Sequence, residues 1–146
     1  MKVFDSYSEN ETYALAKKIG EAAESGLIIT LNGDLGVGKT VFAKGLAEGL
    51  LIDEDVCSPT FTIVQEYHGG RLDLFHFDVY RIEEPDEMYV IGYEEYFFGE
   101  GVCLIEWADN IAELIPEDAV RVCISKDVSK GFDYRRITIE STKELI

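Results

Sequence analysis

Gly33-Asp34-Leu35-Gly36-Val37-Gly38-Lys39-Thr40 matches the pattern G-x-x-x-x-G-K-[ST]. Residue types at this spacing bind phosphate for definite reasons. Glycines at 33, 36 and 38 let the backbone take turns that a Cβ would resist. Successive N–H groups then face phosphate oxygens, beside the positive end of a helix dipole. Lys39 has the reach for the β- and γ-phosphates, and Thr40 offers a hydroxyl to Mg²⁺. The octet therefore predicts a bound nucleoside triphosphate, without saying what the nucleotide is used for.

Such a loop needs a carboxylate at the end of a neighbouring strand to complete a magnesium site. Two segments qualify. Leu74-Phe75-His76-Phe77-Asp78 is mostly apolar and ends in an acid, and so is Val102-Cys103-Leu104-Ile105-Glu106. The second is apolar throughout before its acid, as a central strand should be, which favours Glu106. Taken alone, His76 reads as a satisfied sheet histidine, His68 beside Gly69-Gly70 as solvated, and Trp107 as core.

The elements that would position these groups follow from periodicity. Ser8-Glu9-Asn10-Glu11 has the form of a capping box, and Tyr13, Leu15, Ala16 and Ile19 recur behind it at helical spacing, with Gly26 near the helix end. Leu27 to Leu31 predicts a buried strand feeding the glycine loop. A helix follows from about Lys39 to Leu50, with Val41, Phe42, Leu46 and Leu50 inward. Thr60 to Tyr67 and Arg71 to Tyr80 flank Gly69-Gly70 as a hairpin. Pro85 to Val90 and Tyr93 to Phe98 predict short helices. Val102 to Ile105 is a buried strand, and the Val120-Val122-Ile124 and Ile137-Ile139 alternations mark two more. Interleaved strands and helices, with hairpins, predict an α/β fold: a P-loop NTPase-like mixed sheet flanked by helices, parallel at the nucleotide end, in a single domain over 1–146.

Composition narrows the function. The 146 residues carry 13 basic and 29 acidic side chains, a net charge of −16. That field repels phosphate backbones, so direct tight nucleic-acid binding is not expected; a basic protein partner is easier to accommodate, and solubility is the equally simple reading of the acidity. No apolar run approaches the ~18 residues that span a bilayer. The acidic N-terminal stretch does not resemble a signal peptide, so a cytoplasmic protein is expected. Cys57, Cys103 and Cys123 are scattered, which argues against a disulfide framework or zinc site. Cys103 and Cys123 lie in apolar runs, where burial is expected. No N-K-x-D guanine-reading motif occurs, so ATP is favoured over GTP. None of the five arginines lies in a clear lid segment, which leaves a small-molecule kinase possible but unsupported. A nucleotide-dependent binding module without meaningful hydrolysis also stays open.

Several blocks coincide beyond the glycine loop. In order they are GDLGVGKT, SPTFTIVQEY, FHFDVYRIEEPDEM, YEEYFF and VCLIEWADN. Together they resemble the bacterial TsaE family, the small ATPase of threonylcarbamoyladenosine biosynthesis on tRNA. The resemblance runs from the capped first helix to about Ile115. It implies that Asp34, Gly36, Val37, Gly38, Lys39 and Thr40 wrap the phosphates, with Thr40 and Glu106 on Mg²⁺. It implies that Asp78 is a catalytic acid beside Lys39 and Glu106. Ser58, Pro59 and Thr60 would form a loop that senses the γ-phosphate. Trp107 would pack near the nucleotide or at a partner surface, and Thr12 would approach the adenine. ATP, Mg²⁺ and a complex of TsaD and TsaB are the cofactors and partners that the resemblance implies.

Overall fold

A computed structural model describes residues 1–34, 36–57, 59, 62–142 and 145. Seven strands among them form one sheet, in the order β1-β7-β6-β2-β5-β4-β3. The strands are β1 (Lys2–Ser6), β2 (Ile28–Asn32), β3 (Val64–Tyr67), β4 (Leu74–Asp78), β5 (Val102–Glu106), β6 (Val120–Lys126) and β7 (Arg135–Glu140). The helices are α1 (Glu9–Ala22), α2 (Lys39–Gly49), α3 (Glu87–Val90) and α4 (Tyr93–Phe97), with a 3₁₀ segment at Ala108–Leu114. β6, β2, β5 and β4 run parallel, while β7, β1 and β3 add antiparallel edges. No helix among the described residues is long and apolar enough to cross a membrane.

Strand alternation divides the core into two layers. From β5, Val102 and Leu104 join the cluster under α1 and α2, while Cys103 and Ile105 join the one under α3 and α4. β5 is buried along its whole length, as its apolar run predicts. β6 behaves differently. Val120, Val122 and Ile124 are buried, but Cys123 is exposed, contrary to the expectation of burial. Alternation turns Cys123 to the far face of the sheet, and the apolar cluster there draws on β4, β5 and Ile28 rather than on β6.

The capping box forms with a shift. Ser8 Oγ accepts from Glu11 N at 3.2 Å, but the Glu11 carboxylate accepts from Tyr7 N, one residue earlier than the standard arrangement. The helix ends at Ala22, and Gly26 (φ 85°) turns the chain into β2. β3 and β4 pair as the hairpin signal predicts, within narrower limits; Thr60 and Phe61 lie outside the described residues. β1 carries no strong signal because three of its five residues are exposed and its partner is the distant β7.

α1 and α2 pack backbone to backbone. A Cβ at Gly49 would run into the Lys17 carbonyl oxygen, and one at Gly45 into that of Tyr13. Alanine at Gly49 recovers roughly 1 kcal/mol of helix propensity. The obstacle is backbone, which cannot rotate away, so overpacking of about 1–3 kcal/mol prevails. Gly49→Ala is therefore expected to lower unfolding free energy in urea titrations. An unchanged or raised midpoint would contradict this helix crossing.

At the hairpin, the His68 ring nitrogens lie 3.1 Å from Asp73 and 3.3 Å from Glu66. The bond to Asp73, aided by Glu66, raises the imidazole pKa above its ordinary 6.5. A raised pKa means that this tie stabilises the hairpin below the unfolded value and is lost as pH rises through the folded one. NMR titration should place His68 above 6.5, and Asp73→Asn should bring it down. A wild-type value at or below 6.5 would contradict the pair.

Candidate functional site

β2 ends at Asn32 and passes directly into the glycine loop, which opens α2 at Lys39. Gly36 (φ 81°) and Gly38 (φ 105°) take left-handed conformations that side chains resist. Gly33 is tight for another reason, since a Cβ there would meet Ile124 O and Val37 Cγ2, each at 2.7 Å. Val37 is buried and pins the loop to the core. Gly38 caps α2 with no side-chain hydrogen bond, whereas Ser8 caps α1. Gly38 thus brings no side chain of its own to the N-terminus of α2, which suits a phosphate site.

Parallel register brings the acids to the same end. Leu31 pairs with Glu106 across β2 and β5, and Asp78 pairs with Glu106 across β4 and β5. Glu106 lies on the same side of β5 as Val102 and Leu104, toward α2. There its Oε1 stands 3.5 Å from Lys39 Nζ, and its Oε2 lies 2.7 Å from Nε2 of the fully buried His76. Burial acts to raise the Glu106 pKa. The bond and charge of His76, with Lys39 beside it, outweigh burial and hold the carboxyl below the usual glutamate range. Glu106 is thus an anion inside the fold.

The turns behind β4 and β5 are tied together. Asp78 Oδ1 accepts from Tyr80 N at 3.0 Å, and Asn110 Nδ2 donates to the Val79 and Tyr80 carbonyls, both at 3.1 Å. Trp107 takes a left-handed φ of 63°, uncommon for a bulky residue, at the point where the strand stops. Contrary to the core reading, its side chain is 45% exposed. It packs on Tyr80 with centroids 4.8 Å apart, and Lys39 Nζ lies 5.4 Å from its ring centre.

Sequence reasoning missed Arg135. From the start of β7 its Nε donates to Val37 O at 2.9 Å, and its terminal nitrogen reaches Gly36 O at 3.4 Å. Nothing in local spacing links positions so far apart; a basic residue in so acidic a chain was the only hint. Arg135, Lys126 and Phe132 line a cavity of about 240 Å³ with Gly36, Gly38 and Thr12. Ser6 Oγ donates to Ser8 O and shares a 2.8 Å bond with Thr12 Oγ1, so Thr12 must be the donor of that pair. A second cavity of about 320 Å³ lies between Asp34, Lys39, Trp107 and Cys123.

Thr40 is exposed on the first turn of α2, Asp34 is exposed, and Pro59 is half-buried. Ser58 and Thr60 lie outside the described residues. Just before them, Tyr67 Oη donates to Cys57 O at 2.9 Å and accepts from Cys57 N at 3.0 Å, anchoring that segment to β3.

The donors fit Mg²⁺ bound with a nucleotide better than a resident metal. No group of three or more His, Cys, Asp or Glu gathers among the described residues. Magnesium is commonly held by one or two carboxylates, with substrate phosphates and water completing its shell. Glu106 and the Thr40 hydroxyl are hard oxygen donors of that kind.

Comparison with known proteins finds likeness over most of the chain. The family model "Threonylcarbamoyl adenosine biosynthesis protein TsaE" matches residues 6–137. The tRNA threonylcarbamoyladenosine biosynthesis protein TsaE of Bacillus subtilis is 51% identical over 128 residues, covering 88% of this chain and 78% of that one. The protein of the same description from Treponema pallidum is 43% identical over 119 residues, covering 82% and 87%. The crystal structure of Bacillus subtilis YdiB superposes with a TM-score of 0.83 at 42% identity, covering 97% of this chain and 86% of that one. The P-loop NTPase-like α/β fold agrees with this likeness.

Thiol chemistry offers a check on the site's packing. Cys57 and Cys123 are exposed, whereas burial pushes the Cys103 thiol up to about 12. Iodoacetamide at neutral pH should label Cys57 and Cys123 in the folded chain, and Cys103 only after denaturation. Native labelling of Cys103 would contradict the burial of β5.

Proposed function

The chain belongs to the TsaE family, and from that premise we propose that it is a magnesium-dependent ATPase acting in threonylcarbamoyladenosine formation on tRNA. The observation that supports this most directly is the meeting of Lys39 and Glu106 at the mouth of an uncapped glycine loop.

In this reading the N–H groups from Gly36 to Thr40 bind the phosphates. Lys39 leaves Glu106 and turns to the β- and γ-phosphates, a short movement because the two ions lie side by side. Glu106, relieved of Lys39, and Thr40 would hold Mg²⁺. The bound ion supplies charge neutralisation on the transferred phosphoryl group. Asp78, in register with Glu106, would orient the attacking water. Ser58, Pro59 and Thr60 would respond to the γ-phosphate. Thr12, Val41 and Phe132 would enclose the base in the cavity beside Gly36, and Trp107 would border the phosphate side. ATP is the nucleotide in this account.

Hydrolysis in this reading resets a partner complex, TsaD with TsaB, rather than acting on tRNA directly. A net charge of −16 favours a basic protein surface over nucleic acid and suits a cytoplasmic protein. The isolated chain would hydrolyse slowly, and the partners would stimulate it.

Lys39→Ala and Glu106→Ala should each lower partner-stimulated ATP hydrolysis by about 10²–10³-fold, the usual scale for a lost transition-state contact. Multiple-turnover tRNA modification should fall with it. Undiminished turnover would sink the proposal. Label from γ-phosphate appearing on a metabolite would point instead to a kinase.

A further inference from the structure

Among the described residues, His76 is a fully buried polar side chain at the site to which the proposed nucleotide binding gives no direct task. It is 0% exposed, it sits on β4 two residues before Asp78, and it lies on the α2 side of the sheet. Its Nε2 bonds Glu106 Oε2 at 2.7 Å, while its Nδ1 is buried and has no hydrogen-bond partner among the described residues. A buried histidine that only served the fold would ordinarily satisfy both ring nitrogens. Here one nitrogen is left unsatisfied, and the other is committed to a single carboxylate oxygen.

That bond removes most of the freedom of the Glu106 carboxylate. A glutamate carboxyl rotates about its last torsion almost freely. With Oε2 tied to His76, the plane is set and Oε1 is left facing Lys39 Nζ at 3.5 Å, at the mouth of the glycine loop. Partners of this kind, one shell outside a metal, set ligand orientation and affinity.

We infer that His76 is a positioning residue for the divalent cation: through Nε2 alone it presents one oxygen of Glu106 to the metal that accompanies the nucleotide. The inference rests on the nucleotide reading above. It does not make His76 a base, since Glu106 stands between it and the phosphates. It also gives the two ring nitrogens unequal roles, which makes it testable by isosteric substitution.

Glutamine places its amide nitrogen near the position of Nε2, and asparagine places its own near that of Nδ1. Both are neutral, polar and smaller than histidine. The full chain and its His76→Gln and His76→Asn forms would be titrated with ADP, following the fluorescence of Trp107, the sole tryptophan, in Mg²⁺ and in EDTA. Mn²⁺ would then be titrated into the nucleotide complexes by electron paramagnetic resonance, and thermal melts would verify folding. The Asn form should bind Mn²⁺ about 10–100-fold more weakly, and the Gln form within about threefold of wild type. ADP affinity in EDTA should stay the same in all three, which a general loss of structure would not allow. Equal Mn²⁺ affinity in wild type and the Asn form, or equal weakness in Gln and Asn, would overturn the role of Nε2. If either variant fails to melt cooperatively, Glu106→Gln supplies the comparison: it should lose Mn²⁺ affinity to at least the same degree, and normal Mn²⁺ binding by it would overturn the inference. Wild-type protein that gains no affinity from Mn²⁺ would overturn the metal reading, and this inference with it.

Discussion

A carboxylate at the end of a strand buried on both faces must be compensated by its neighbours, and Glu106 is compensated twice. His76 gives it a hydrogen bond from β4, and Lys39 gives it a counter-charge from α2. Each partner comes from a different element, so the three elements are held in mutual position by one anion. Truncating one member of such a group leaves the others buried without compensation, which is far more disruptive than losing a surface pair. On the proposed reading the same arrangement stores the site in a neutralised form. Lys39 and Glu106 occupy each other until phosphate and metal arrive to separate them.

That arrangement depends on register. Leu31, Glu106 and Asp78 are level only because β2, β5 and β4 are parallel and in step. A slip of one residue in β5 would turn Glu106 to the α3 and α4 face, since the side-chain period of a strand is two. The apolar layers on both sides of β5 guard against this, because the same slip would exchange Val102 and Leu104 with Cys103 and Ile105. The left-handed Trp107 then ends the strand immediately after Glu106.

The antiparallel wing has a role of its own. β7 delivers Arg135 to the carbonyls of Val37 and Gly36, so the outer side of the glycine loop is held by a strand about a hundred residues away. With these carbonyls paired to Arg135, the loop's polar backbone is braced from its outer side. In an acidic chain, Arg135 and Lys126 also place positive charge beside the loop proposed to receive phosphate.

Much of this was legible in order of residues alone. The glycine loop, the strand before it and the helix after it follow from a local pattern, because each needs only its own neighbours to take its form. The preference for Glu106 as an inward acid followed from four apolar residues preceding it. The rest depended on contacts between distant segments. β1 is short and exposed, and it is a strand only because β7 pairs with it. Cys123 has an apolar neighbourhood in sequence but an open face in space. His76 and Arg135 look ordinary until packing shows what each nitrogen touches. Local sequence thus determined the strand, glycine loop and helix on which the proposed phosphate site rests, since a loop's backbone conformation is a short-range property. Tertiary structure decided which carboxylate faces it, which histidine orients that carboxylate and which arginine braces the loop, because those are set by register and burial across the whole sheet.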